Sequence, residues 1–340
     1  MKHFVVLTSI HGETKIIDKI RNSTNESDWN CIVSGDTISK PIKSEGNFEF
    51  LSIQDQLDSS FQYAKKAPVR NYCRKNLAYL RAIELGADII IETDDDNFPV
   101  DGFFSERNDT LRIKSVDSAG YANVCRYFTD AVNIWPRGFS LGDLKRDLPA
   151  YDGLPEETLF CPVQNGMVDG DPDVDAIYRL LYEIPFNFEH RHRQIALKKG
   201  TWCSFNTQNT TFFKDFFPIM YQPATPMFRE ADIVRSMVIT RILWENDANV
   251  MFHSPNVVQE RNDHNIILDL REEVRLYSYV KEISMKLEGL ELRPGRDRFF
   301  DNMLKCYEVF KPYSIVHDHE FKLIETWFHD LEKMGACTYA

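Results

Sequence analysis

The residues that most clearly suggest chemistry are three consecutive aspartates, Asp94, Asp95 and Asp96, which follow the apolar run 89–91. Neighbouring carboxylates repel one another and burial raises their pKa values, so such a cluster is tolerable mainly in water or around a cation. In an extended backbone Asp94 and Asp96 project to one side while Asp95 points away. Two such carboxylates suit Mg²⁺ or Mn²⁺, which keep coordination positions for phosphate oxygens. The pattern predicts a cation site for a diphosphate; the alternative is a solvated strand end.

Two arginines precede the aspartates on a predicted helix between Pro68 and Gly86. Proline in the first turn and glycine just past the end are typical helix boundaries. Arg70 and Arg74 are four residues apart, which predicts that they share one face near the helix N-terminus. Such a face would bind an anion, although it could also be a solvated surface that pairs with acids.

A further acid, Asp232, lies at the predicted start of a helix that runs to Trp244. A carboxylate fixed there within a pocket could take the proton from an attacking hydroxyl group. An ordinary capping role for an acid in the first turn is equally compatible with the sequence.

Two loops carry groups suited to polar ligands. Arg137, between the turn residues Pro136 and Gly138, could present its guanidinium to a phosphate or carboxylate, or could be an ordinary surface arginine. The segment 204–210 is dense in amides and hydroxyls, including Asn209, which could recognise sugar hydroxyls or satisfy nearby backbone.

The elements predicted around these residues alternate between strand and helix. Apolar runs at 4–7 and 29–33 each lead into a polar loop, and the helix ending near Gly86 leads directly into the aspartate strand. This order predicts an α/β fold with a doubly wound, mixed but mainly parallel sheet, whose ligands bind beyond the carboxyl ends of the strands. His253 and His264 are the histidines best placed to reach that edge, and we include His264 among the candidate metal ligands.

The second half of the chain is less regular. Residues 120–230 predict short strands and long loops, and a short strand is expected near 249–252. From about residue 268 the pattern is helical and charged, so we divide the chain into a domain at 1–265 that carries the candidate site residues and a helical region at 266–340. That region could serve packing, homo-oligomer formation or acceptor docking.

Composition narrows the class of protein. The 340 residues are 43% hydrophobic, which is ample for a substantial core, and the net charge of −12 argues against nucleic-acid binding. The seven cysteines include no Cys-x-x-Cys pair and are expected to be reduced. No signal peptide or integral membrane segment is predicted, so we expect a protein in the cytoplasm, either free or peripheral to a membrane.

Five segments in order resemble the STELLO-like glycosyltransferase family within the GT-A nucleotide-sugar transferases. They are Arg74-Lys75-Asn76-Leu77-Ala78-Tyr79-Leu80-Arg81-Ala82-Ile83, Thr93-Asp94-Asp95-Asp96-Asn97, Trp135-Pro136-Arg137-Gly138-Phe139, Asn206-Thr207-Gln208-Asn209-Thr210, and Asp232-Ile233-Val234-Arg235 continuing to Arg241-Ile242-Leu243-Trp244. Each is weak alone, but five in the right order are fairly specific, and the resemblance spans roughly residues 1–265.

The resemblance implies a GT-A fold and a set of site residues. Asp94 and Asp96 would be the Asp-x-Asp motif that holds Mn²⁺ or Mg²⁺ on the donor diphosphate, and Asp232 would be the base. The remaining donor-binding residues that we expect on this basis are Thr8, Ser9 and Asp36 at the nucleoside, Arg70 or Arg74 at the diphosphate, and Asp95 and Asn209 nearby.

Residues and resemblance together predict a metal-dependent glycosyltransferase. It would move a sugar from a nucleoside diphosphate, with UDP expected, to a hydroxyl of a glycan or glycolipid with inversion. One alternative is a nucleotide-sugar mutase similar to the reversibly glycosylated proteins, with Arg137 as the catalytic residue. Another is a nucleotide-sugar-binding scaffold without turnover. An aspartyl phosphatase is a weaker alternative, because those enzymes carry Asp-x-Asp on the first strand.

Overall fold

The computed structural model describes residues 1–260 and 265–338. The strands are β1 His3–Thr8, β2 Trp29–Ser34, β3 Phe48–Leu51, β4 Ile89–Thr93, β5 Asn97–Pro99, β6 Thr110–Val116, β7 Gly120–Tyr121, β8 Glu156–Phe160, β9 Val163–Gly166, β10 Asp169–Gly170, β11 Gln194–Leu197, β12 Thr201–Trp202, β13 Asn209–Phe213, β14 Val250–His253 and β15 Val257–Gln259. The helices are α1 Lys15–Asn25, α2 Ile53–Asp58, α3 Gln62–Lys66, α4 Lys75–Glu84, α5 Ala176–Leu181, α6 Phe228–Glu245, α7 Ile266–Glu288, α8 Phe299–Glu308 and α9 Asp318–Lys333.

The central sheet has the strand order β3-β2-β1-β4-β13-β9-β14-β11-β6-β8. Strands β3, β2, β1 and β4 are parallel, and β13 then runs antiparallel to β4. The register pairs Thr8 with Ser34 and Val6 with Glu92, so the carboxyl ends of β1, β2 and β4 meet at one edge of the sheet. The expected mixed, mainly parallel sheet with flanking helices is confirmed, as are the short strands and long loops of the middle region.

The helix before the aspartate strand begins later than predicted. A short 3₁₀ turn, Tyr72–Arg74, precedes α4, and the Asn71 side chain accepts a hydrogen bond from the Cys73 backbone at 2.9 Å. Arg70 lies before this turn with a positive φ of 53°. A left-handed residue cannot belong to the helix, so the prediction that Arg70 and Arg74 share a helix face is wrong.

The C-terminal region is helical, as predicted, and it packs into the main body. Helix α7 lies against α6, and α9 lies against α3. Leu276, Ile283 and Trp327 of these helices belong to the same buried cluster as Ile90 and Phe212 of the sheet. Residues on both sides of the predicted boundary at 265/266 therefore share one buried cluster. The division of the chain into two domains stays a prediction.

Helix α9 also fixes a loop next to the predicted site. The buried carboxylate of Glu320 accepts hydrogen bonds from the Tyr221 hydroxyl at 2.5 Å and from the backbone of Thr225 at 2.7 Å. In the same loop, the carbonyl of Ala224 accepts a hydrogen bond from the Asn71 side chain at 3.0 Å. Within the described ranges, no helix is long and apolar enough to cross a bilayer.

Candidate active site

A cavity of about 380 Å³ opens at the carboxyl edge of β1, β2 and β4. Most of the predicted site residues line it, namely Thr8, Ser9, Asp36, Arg70, Arg74, Asp94, Asp95, Asp96, Arg137 and Asp232. They come from the ends of three parallel strands, the loop before α4, the loop around residue 137 and the start of α6. The topology thus brings together residues that are far apart in sequence.

The three aspartates do not alternate as an extended strand would require. The backbone N–H of Asn97 donates to the carbonyl of Asp94 at 3.2 Å, so the chain turns between β4 and β5. All three side chains consequently line the cavity. Asp95, expected to point away, accepts a hydrogen bond from the Ser9 hydroxyl at 2.5 Å and is thereby joined to the end of β1.

A buried lysine stands beside the first aspartate. Lys75 Nζ lies 3.0 Å from Asp94 Oδ1 and donates to the carbonyls of Thr93 at 2.7 Å and Thr207 at 3.2 Å. The Tyr72 hydroxyl also hydrogen-bonds Asp94. The positive charge of Lys75 therefore already balances the negative charge of Asp94 at the cavity wall. The sequence did not single out Lys75 as a site residue.

Asp96 is the carboxylate with capacity left for a cation. Its Oδ2 accepts from Gln259 at 2.8 Å, whereas its buried Oδ1 has no hydrogen-bond partner among the described residues. Burial and the charge of Asp94 raise the pKa of Asp96 to about 7. A buried acceptor without a partner costs free energy, which a bound cation would recover. The residues at this edge therefore fit a divalent metal ion.

A cation here would need oxygens from the substrate. Within residues 1–260 and 265–338, no three His, Cys, Asp or Glu side chains form a preassembled metal centre. Mg²⁺ in phosphate-transfer sites is usually held by one or two carboxylates together with substrate phosphates, so two aspartates and a diphosphate would suffice. His264, the third predicted ligand, lies outside the described residues.

Asn209 does not line the cavity. It is buried in β13, where its amide donates to Asn256 Oδ1 at 2.7 Å and to the carbonyl of Met167 at 3.3 Å. Its neighbour Gln208 lines the cavity instead. Direct contact between Asn209 and the donor is therefore not supported by this arrangement, and its contacts indicate a structural role.

The two arginines near α4 differ in availability. Arg74 is only 2% exposed, and its guanidinium donates to Gln56 Oε1 at 2.8 Å and to the carbonyl of Ala67 at 3.0 Å. Arg70 is exposed, lines the cavity and has no hydrogen bond or ion pair with any residue in the described part of the chain. Arg70 is consequently the better candidate to meet a phosphate.

Arg137 joins the buried Asp232 to the largely buried Asp173. Its Nε and Nη2 donate to Asp173 at 2.8 and 3.0 Å, while Nη1 and Nη2 donate to Asp232 at 2.9 and 2.6 Å. Nη1 also donates to the carbonyl of Arg229. Since a guanidinium has five N–H donors, all are used. Asp173 was not predicted; the acid-rich segment 169–175 was the available signal, and it did not single out one member.

These contacts favour the charged forms of Arg137 and Asp173. Burial opposes the charge of Arg137, but the carboxylates of Asp173 and Asp232 outweigh it and hold the pKa of Arg137 well above its usual range. Burial by itself would raise the pKa of Asp173. The positive charges of Arg137 and Arg229 outweigh burial, and the pKa of Asp173 lies below its ordinary value. A protonated, fully bonded guanidinium is not a nucleophile, which disfavours a mutase that attaches sugar to Arg137.

A second buried ion pair connects the two halves of the site. Arg235 of α6 bonds Glu92 of β4, with Nη1 2.9 Å from Oε2, and the Tyr79 hydroxyl also bonds Glu92. Both charged side chains are almost completely buried. This pair fixes the strand that ends in the aspartates to the helix that carries Asp232.

Two plant proteins are similar to this chain in sequence. The chain is 24% identical over 330 residues to the probable glycosyltransferase STELLO2 of Arabidopsis thaliana, covering 90% of this chain and 42% of that protein. It is also 24% identical over 345 residues to the probable glycosyltransferase STELLO1 of the same plant, covering 95% and 43%. The chain is thus similar to both STELLO proteins over at least 90% of its own length. The expected resemblance is confirmed, and the chain spans less than half the length of these relatives.

The other comparisons add little to that finding. No family model matches the chain. A glucosyl-3-phosphoglycerate synthase from Mycobacterium tuberculosis in complex with phosphoglyceric acid aligns with a TM-score of 0.38 and 13% identity, covering 85% of this chain and 81% of the other. A second structure of the M. tuberculosis synthase aligns with a TM-score of 0.38 and 11% identity over the same shares. At these TM-scores the likeness decides neither fold family nor function.

Proposed function

We propose that this chain is a metal-dependent glycosyltransferase that moves a sugar from a nucleoside diphosphate, with UDP as the expected nucleotide, to an acceptor hydroxyl with inversion. The observation that carries the proposal is the single cavity in which an acid cluster, a free arginine and a separate buried aspartate meet. The similarity to the STELLO glycosyltransferases supports the same class of reaction.

The donor would lie along the carboxyl edge of the sheet. Thr8, Ser9 and Asp36, at the ends of β1 and β2, would bind the nucleoside. Asp94 and Asp96 would hold the divalent cation, which when bound supplies Lewis acidity to the departing diphosphate. Arg70 would donate hydrogen bonds to the diphosphate oxygens.

The acceptor would be activated from the α6 side of the cavity. Asp232 would take the proton of the acceptor hydroxyl as that oxygen forms a bond to the anomeric carbon and the bond to the diphosphate oxygen breaks. Arg137 would orient the Asp232 carboxylate by its two hydrogen bonds. One base for one displacement step accounts for the proposed inversion.

The experiment combines nucleotide binding with turnover. Thermal unfolding of the wild type is measured with UDP, GDP and their glucose sugars, each with and without Mn²⁺, because a ligand at about 100 times its Kd adds about 2.7 kcal/mol of stability. UDP release is followed over a panel of glycan acceptors. We expect stabilisation by UDP that requires Mn²⁺, and loss of both signals in Asp96→Asn.

The matched control is Asp101→Asn, which removes an exposed aspartate close in sequence. Full transfer by Asp96→Asn in metal-free buffer would contradict metal dependence. Donor binding without transfer or hydrolysis across the panel would favour the scaffold, and isomerised sugar from donor alone would favour the mutase. The anomeric configuration of the product, read by NMR, tests inversion.

A further inference from the structure

Phe228, the first residue of α6, is an aromatic side chain left in solvent at the cavity. Its side chain is 62% exposed and yet lines the cavity. Burying a phenylalanine side chain usually stabilises a fold, so a ring left exposed at this position forgoes that stabilisation. Its ring contact is with Tyr72, at 5.7 Å between centroids and 82° between planes.

The position of Phe228 relates it directly to the proposed base. Phe228 and Asp232 are four residues apart on α6 and both line the cavity. Side chains at this spacing lie on one helix face, about 6 Å apart along the axis. A ligand the size of one sugar ring that rests on Phe228 would therefore bring a hydroxyl towards Asp232.

Tyr72 connects the same ring to the donor side. Its hydroxyl bonds Asp94 and lies 2.8 Å from Thr207 Oγ1. The Tyr72 ring thus occupies the space between the acid cluster and Phe228, and it holds Phe228 from one side while leaving most of the ring free.

We propose that Phe228, supported by Tyr72, is an acceptor subsite that packs against the apolar face of a pyranose ring. The inference rests on the proposed function and specifies its acceptor as a cyclic sugar. Groups near the ring on α6 are charged, since Arg229 and Asp232 both line the cavity, and the neighbouring exposed Met227 does not. One aromatic surface bordered by charged groups suits a sugar, which has one apolar face and a rim of hydroxyls, better than an acyl chain, which needs a continuous apolar groove.

The test uses saturation-transfer NMR on the full chain with UDP and Mg²⁺ bound. The probes are cellobiose, methyl β-glucopyranoside, the acyclic polyol sorbitol, and octyl glucoside. The variants are Phe228→Ala and Phe228→Trp, with Val132→Ala as the matched control, because Val132 is an apolar side chain that is 74% exposed and does not line the cavity.

Saturation transfer to the ring protons of the two simple sugars, and not to sorbitol, is expected for the wild type, Val132→Ala and Phe228→Trp. In Phe228→Ala the sugar Kd should rise about two- to twelvefold, as expected for loss of one aromatic contact. The thermal shift caused by UDP should be the same in all four proteins.

Three results would each overturn the subsite and leave the proposed function standing. They are equal sugar binding by Phe228→Ala and the wild type, equal binding of sorbitol and cellobiose, and absence of a sugar signal while UDP binds. Contact confined to the alkyl chain of octyl glucoside would overturn it in favour of a lipid acceptor. Absence of any UDP shift in the wild type would instead overturn the proposed function itself.

Discussion

Asp232 and Asp173 form a natural pair for testing the base. Both carboxylates accept two hydrogen bonds from Arg137, both line the cavity, and both side chains are 10% exposed. Asp232→Asn and Asp173→Asn therefore remove the same charge from the same guanidinium. Only the first removes the proposed proton acceptor.

The expected magnitudes separate the two roles. Each variant weakens hydrogen bonds to a charged group, which costs about 1.5–3 kcal/mol of stability in either case. Loss of a general base slows the chemical step about 10²- to 10⁴-fold, which corresponds to about 3–5 kcal/mol in the barrier. We expect kcat to fall by that amount in Asp232→Asn and by less than about tenfold in Asp173→Asn.

The assay measures kcat and KM for transfer from UDP-glucose to the best acceptor of the panel, together with urea unfolding of both variants. Similar unfolding free energies would show that the packing around Arg137 is equally disturbed. If kcat then falls equally in the two variants, Asp232 is a positioning residue and the assignment of the base is refuted.

Two further predictions concern stability. Arg235→Met leaves Glu92 buried without its cation and should lower the unfolding free energy by about 3–5 kcal/mol. Arg235→Met combined with Glu92→Met should come within about 2 kcal/mol of the wild type, because both charges are then removed together, while the Tyr79 hydroxyl loses its partner. If urea unfolding finds the double variant no more stable than the single one, this prediction is wrong. Burial and the charge of Arg107 lower the pKa of His253 from 6.5 to about 4. The unfolded chain therefore binds an extra proton between these pH values, so stability is fully present above about pH 6.5 and up to about 3 kcal/mol is lost as the pH falls towards about 4. His253→Gln should flatten that part of a pH series of urea unfolding, and an unchanged slope would show that other groups cause it.

The features predictable from sequence were those encoded locally. Alternating strands and helices, the polar ends of β1 and β2, and the carboxylates after β4 all follow from patterns within a few residues. The turn at Asp94–Asp96 was missed because the extended geometry assumed for these residues ends at Thr93. The start of α4 was missed because Pro68 is a common first-turn residue, while the capping side chain belongs to Asn71.

Contacts between distant residues could not be predicted in the same way. Asp173 meets Arg137 across 36 positions, and Glu320 meets Tyr221 across 99. The sequence does not distinguish a buried acid from an exposed one. Only the packing of separate elements determines which residue the carboxylate contacts. The inward-facing Lys75, which is fully buried in the first turn of α4, is a further example.

The bonds that Glu320 makes have a consequence for how the protein can be divided. The carboxylate of Glu320 anchors the loop whose Ala224 in turn anchors Asn71, and Asn71 stands in the wall of the cavity. Helix α9 is thus connected to the cavity wall through two successive hydrogen bonds, between Glu320 and Ala224 and between Ala224 and Asn71. Removing the last helices would therefore remove an anchor of the cavity wall, and a molecule that binds α9 would act on that wall through Glu320.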